Sequence, residues 1–342
     1  MKSKFLLALT LAAGTFAAKA QDKPAAVDPP LVISGSVDTY YKYDFSGHNN
    51  IPTSFATDQN SASIGMVDLG LKKKVGNASF VGEVSFGPRS DQSIPVAGEH
   101  IQNLYVSYDL TSKLNVTGGY MATFVGYEVI APTGNFNYST SYLFTNGPFQ
   151  NAGLKFTYAF SDKVSLMAGM FNDLWNVYTS AKKVNTFGSQ LMVAPVKGWT
   201  AYLNLVTGPA SGTEVDLTTT YQITDAFKLG LNGANFAAPG TGTTGGFSGV
   251  ALYPQLAVSK VVTLGLRGEY FKTKTGAYTS TTAPPPGSSV TGLTFTANIK
   301  SGPLTFIPEV RLDNGSKTIF TDSNSAATKS ASQFAMAAVY AF

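Results

Sequence analysis

Hydrophobic and polar residues alternate with a period of two along most of the chain. Over 31–45, LVISGSVDTYYKYDF, one parity carries Leu31, Ile33, Val37, Tyr41, Tyr43 and Phe45, and the other Ser34, Ser36, Asp38, Lys42 and Asp44. The same split separates Val215, Leu217, Tyr221 and Ile223 from Glu214, Asp216, Thr218 and Thr220 in 213–223. It recurs in 262–271, where Leu264, Leu266 and Tyr270 oppose Thr263, Arg267 and Glu269, and in 303–313, where Leu304, Phe306, Val310 and Leu312 oppose Thr305, Glu309, Arg311 and Asp313. Successive side chains of a strand point to opposite faces, so the pattern predicts strands with one apolar and one polar face. Full charges stand mid-strand on the polar face. In a dry core each would need a partner at considerable cost, whereas in a water-filled lumen it stays hydrated. The pattern therefore predicts lipid outside and water inside.

The connections alternate in length. Short ones fall at 75–77, 111–113, 161–163, 195–198, 224–226, around Lys260 and at 300–302. Mostly longer ones fall at 46–62, 88–99, 126–149, 175–185, 208–212, 237–247, 273–289 and 314–330. Seven turns and eight loops imply about sixteen strands in an all-β, transmembrane, antiparallel up-and-down barrel spanning 31–342, with both termini at the short-turn end. The final stretch, QFAMAAVYAF, puts Phe334, Met336, Tyr340 and Phe342 on one face and Ala335, Ala337, Val339 and Ala341 on the other. The bulky face suits lipid, with Tyr340 and Phe342 in an interfacial aromatic girdle.

The N-terminus changes the picture only by adding an address. Lys2 and Lys4 precede the 14-residue run FLLALTLAAGTFAA and a small-x-small site at Ala18 and Ala20. That run is shorter than the ~20 residues of a spanning helix and fits a cleaved export signal over 1–20. The Pro-rich 21–30 then reads as a periplasmic leader. With Lys2, Lys4 and Lys19 removed, the formal charge of +4 drops to about +1, which gives no support to a nucleic-acid partner. Charged residues make up 13% of the chain and aromatics 12%, and there is no cysteine. That composition suits a barrel stabilised without disulfides. His48 and His100 are the only histidines, too few for a His-based metal centre or a convincing hydrolase, so neither metal nor cofactor is expected. The G-x-G-x-x-G match at 240–245 is followed by another alternating strand rather than the helix a dinucleotide site needs. Lys72, Lys73 and Lys74 run into a turn and read as solvated rim charges.

Two segments, ISGSVDTYYKYDF near the start and NFNYSTSYLFTNGPFQNAGLKFTYAF at 135–160, resemble the OmpL-like family of beta-barrel porins, common in Bacteroidota. Length, export signal and terminal Phe agree over essentially the full chain. The resemblance implies an outer-membrane location in a diderm bacterium and passive passage of small solutes. Thr140 stands where an Arg is frequent in the family, and Gln150–Gly153 replaces a His-Thr-Gly variant, so a family constriction charge does not carry over.

Candidate pore-lining charges are Asp38, Lys42, Asp44, Asp68, Glu83, Lys155, Glu214, Asp216, Lys228, Arg267, Glu269, Glu309 and Arg311. Eight are acidic and five basic, which points to weak cation preference. Loop 126–149 is long, aromatic and nearly uncharged; it is expected to enter the lumen and narrow it, with Glu128, Asn135, Asn137 and Tyr138 as constriction candidates. A loop packed over the mouth or between subunits is the competing reading. The expected partners are outer-membrane lipid, the barrel-assembly machinery acting on the Tyr340/Phe342 signal, small solutes, and further copies of the chain, since trimers are common at this size. A solute-specific channel and an occluded structural or adhesive barrel are the alternatives to general diffusion.

Overall fold

The computed structural model describes residues 29–342 apart from 97, 174–176 and 241–242. The export signal and residues 21–28 of the leader lie outside the described residues. From Leu31 onward the chain forms one unit.

Fifteen strands follow one another as β1 (Val32–Asp44), β2 (Ser61–Val75), β3 (Ala78–Phe86), β4 (Ile101–Asp109), β5 (Leu114–Ala122), β6 (Gln150–Ala159), β7 (Val164–Asn172), β8 (Val184–Val193), β9 (Trp199–Gly208), β10 (Gly212–Gln222), β11 (Phe227–Ala237), β12 (Gly246–Ala257), β13 (Val262–Thr273), β14 (Ser289–Ser301) and β15 (Leu304–Gly315). A two-residue-per-arm hairpin, β16 (Phe320–Thr321) and β17 (Ala327–Thr328), sits in the last loop before β18 (Ser330–Ala341). Each long strand pairs antiparallel with its sequence neighbour, and β18 pairs with both β15 and β1. Among the described residues sixteen strands thus close one barrel, and no sheet edge is left open to an apolar solvent that could not satisfy it.

At the seam Val37 lies opposite Tyr340 and Tyr41 opposite Met336. The last residue completes the ladder, since Gly35 and Phe342 exchange both backbone hydrogen bonds at 3.0 Å. The alternation sorts side chains as in β4, where Leu104, Val106 and Tyr108 are exposed outward while Asn103, Tyr105 and Ser107 take the opposite parity. Where the interior is filled it is filled from the loops. Two one-turn helices, α1 (Pro88–Ser93) and α2 (Tyr142–Asn146), and a 3-10 turn at Pro132–Gly134 occur within them. None of these was signalled by a helical period, because each is too short to show one.

Candidate functional site

The connection between β5 and β6 runs back against the inner wall, and backbone groups are what hold it. Three inward carboxylates accept its amides. Glu309 of β15 receives Tyr138 N at 3.0 Å and Ser139 N at 3.2 Å. Glu269 of β13 receives Tyr142 N at 3.0 Å and Leu143 N at 2.9 Å. Asp216 of β10 receives Gly126 N at 3.0 Å and is steadied by the amides of Asn204 and Asn232. An irregular segment in a barrel interior has no ladder of its own, so these charge-assisted bonds replace one.

Side chains add a second set of ties. Glu128 pairs with Arg267 at 2.9 Å, with both side chains buried, and also accepts Ser141 N and Oγ and the Tyr253 hydroxyl. Ser141 in turn caps α2 by accepting Phe144 N at 3.0 Å. Arg267 continues to the Ser139 carbonyl and hydroxyl and to Thr294. Asn137 donates to Thr296 at 2.7 Å, and Tyr138 donates its hydroxyl to Asp38 at 2.5 Å. Asn135 bonds within its own loop, to the Val129 backbone. Arg311 grips Asp313 with two bonds, at 2.9 and 3.0 Å, and reaches the Thr140 carbonyl and Thr53 hydroxyl. Tyr142 donates to Asp313 at 2.9 Å. Burial first, and then the adjacent carboxylate, push the phenols of Tyr138 and Tyr142 well above their ordinary range, so both stay protonated donors at any working pH.

The wall is notched to receive the loop. A Cβ at Gly265 would overlap the Phe136 ring, and one at Gly230 would overlap the Tyr127 hydroxyl. Tyr127 is itself stacked on Tyr253 with ring centroids 4.3 Å apart. Two further loops pack from the open end. Phe55, in the connection after β1, sits 5.9 Å from Phe144 and 5.8 Å from Phe149. Arg89 of α1 lies 4.4 Å over the Phe55 ring and donates Nε to the Ile130 carbonyl, while its two terminal nitrogens are buried without a partner among the described residues.

These contacts correct one premise of the sequence reading. Mid-strand charges were expected to remain hydrated, but Asp38, Lys42, Asp44, Glu214, Asp216, Arg267, Glu269, Glu309 and Arg311 are all 3% exposed or less. The reason is the loops, which replace the water around all of these but Glu214 with amides, hydroxyls and counter-charges. Lys42 bonds Asn49 and the Thr57 carbonyl, and Asp44 bonds Ser46 and Asn50. Asp68 and Glu83 stand apart on the β2–β3 wall, held by Ser36 and by Asn103 respectively. Lys155 and Lys228 are half-buried. Asp313, Thr296, Tyr253 and Arg89 were absent from the candidates. The first three occupy inward parity positions that a strict reading of the alternation could have included; Arg89, in a six-residue helix, carried no pattern at all. Lys74, at the rim, pairs with Asp109 at 2.6 Å, and the His100 ring lies 4.2 Å from that of Phe86, tilted by 35°. Among the described residues no cluster of His, Cys, Asp and Glu suits a metal ion.

Toward the short-turn end the loop leaves a cavity of about 1040 Å³. Its roof is Tyr127, Thr133, Asn135 and Phe136, and its walls include Lys155, Gln190, Thr200, Tyr202, Lys228, Gln255, Thr263, Asn298, Lys300 and Thr305.

A family model described as "Putative beta-barrel porin-2, OmpL-like" matches residues 30–342. No match was found among curated proteins. Among solved structures the chain is similar to the outer-membrane channel DcaP of Acinetobacter baumannii, at 14% identity over 94% of this chain and 100% of that one, with a TM-score of 0.62. It is also similar to an anion-selective porin from Comamonas acidovorans, at 12% identity over 92% and 99% and a TM-score of 0.59. A third is the outer-membrane expressed OmpT of Vibrio cholerae, at 13% identity over 94% and 100% and a TM-score of 0.57. At these identities the likeness is one of fold.

Proposed function

The chain belongs to the OmpL-like family of beta-barrel porins, and from that premise we propose that it lets small hydrophilic solutes diffuse passively across the outer membrane through a lumen narrowed by loop 126–149. Family and fold point to a channel rather than an enzyme. The observation that carries the reading is the polar cavity of about 1040 Å³ beneath the loop. Sixteen strands enclose more volume than wall side chains fill, so water occupies what the loop leaves. Glu128, Asn137 and Tyr138 would set the narrowing by anchoring the loop, and the inward charges outside its contacts would meet the passing solute. Nothing in this mechanism requires a covalent step; solutes move down their gradients. Self-association through the outer face belongs to the same reading, and V. cholerae OmpT has been solved in a trimer form.

The density of bonds around the loop favours one rival, an occluded barrel whose loops bind partners. Single-channel recording of the refolded protein in a planar bilayer separates the two. Discrete conductance steps, growing when residues 131–146 are deleted, are expected. A folded barrel that gives no steps would be the occluded one, and steps of unchanged size after the deletion would remove the constriction.

A further inference from the structure

The charge that faces water in this barrel differs from the charge its inward positions carry as a set. Of the eight inward acids, Asp38, Asp216, Glu269 and Glu309 are buried against loop amides and hydroxyls, Asp44 is buried against Ser46 and Asn50, and Glu214 is 3% exposed; none of these six borders the cavity. Glu128, the one carboxylate bordering the cavity, is neutralised by Arg267. Asp68 and Glu83 lie on the β2–β3 wall, which does not border the cavity. Three ammonium groups remain on its walls: Lys155 from β6, Lys228 from β11 and Lys300 from the end of β14. Among the described residues none of them forms an ion pair or a side-chain hydrogen bond. Hydroxyls of Thr200, Thr263 and Thr305 stand on the same walls.

Resting on the porin reading, we propose that this vestibule is an anion site and that the channel prefers anions to cations, opposite in sign to the acidic excess of the inward positions. Unpaired cations in a cleft with low-dielectric walls raise the local concentration of counter-ions, and Lys rings line pores that pass anions. Threonine hydroxyls add donors for oxyanions such as phosphate. Because charges on opposite walls act through water, the preference should fade with salt as the screening length shrinks from ~10 Å at 0.1 M to ~3 Å at 1 M.

The test is the zero-current potential of the open channel in a potassium chloride gradient. A several-fold chloride preference is expected, lost toward parity in Lys155→Gln/Lys228→Gln and restored in Lys155→Arg/Lys228→Arg. Millimolar inorganic phosphate should lower the chloride current of the unmodified protein, a measurement that needs no variant to fold. Cation preference in the unmodified channel, or a potential unmoved by the double Gln variant, would overturn the proposal while leaving the porin reading standing. Absence of any conductance step would sink both.

Discussion

Leu217 and Thr218 are chain neighbours in the middle of β10, yet they have different surroundings. Leu217 is 42% exposed on the outer face and Thr218 is 7% exposed on the inner. Any polar group added at Leu217 meets hydrocarbon, and an arginine at mid-depth costs about 2–4 kcal/mol in such a barrel. Leu217→Arg should therefore lower the unfolding free energy in lipid vesicles by that amount, whereas Thr263→Lys, facing the cavity, should leave it within about 0.5 kcal/mol. Equal losses at the two sites would contradict the assignment of faces. This level was the most legible from sequence, because a period of two fixes which side a residue takes. The identity of its partner was not. Glu269 and Glu309 were recognisable as inward, but nothing near them in the chain says that they accept the amides of residues 142–143 and 138–139, more than a hundred positions away.

At the scale of elements, loop 126–149 stays in place through many separate ties. A hydrogen bond to a charged group contributes about 1.5–3 kcal/mol, and leaving its partner buried and unpaired costs more. The double variant Glu269→Ala/Glu309→Ala releases four amides at once. It should expose Phe136, Tyr138 and Tyr142 to cleavage by chymotrypsin, while the intact protein resists; equal resistance would show that the remaining ties suffice. The Glu128–Arg267 pair is buried on both sides, and breaking such a pair by removing one partner costs about 3–5 kcal/mol. Loop length and composition had suggested that this segment is special. They could not distinguish the lumen from the mouth, because that depends on seats such as Gly265 under Phe136 and Gly230 under Tyr127, which belong to strands far along the chain.

For the whole molecule, closure depends on the first and last strands meeting. Phe342 supplies both a ladder pair to Gly35 and an aromatic ring on the outer face, where it is 61% exposed. Deleting Phe342 should cut the amount of folded barrel reaching the membrane in cells several-fold, while barrel refolded in detergent keeps nearly the same melting temperature. A loss confined to stability, with insertion unchanged, would argue that the residue serves the seam rather than assembly.

Strand number, turn and loop ends, and the side taken by nearly every strand residue were determined by the sequence alone, since each follows from local geometry: alternating Cβ directions and the lengths of chain between strands. The electrostatics of the interior were decided only in three dimensions. Which carboxylates are buried against the loop, which lysines are left facing water, and where Arg89 enters all depend on contacts between residues distant in sequence. Counting inward charges treats them as equally hydrated, and the folded loop makes them unequal.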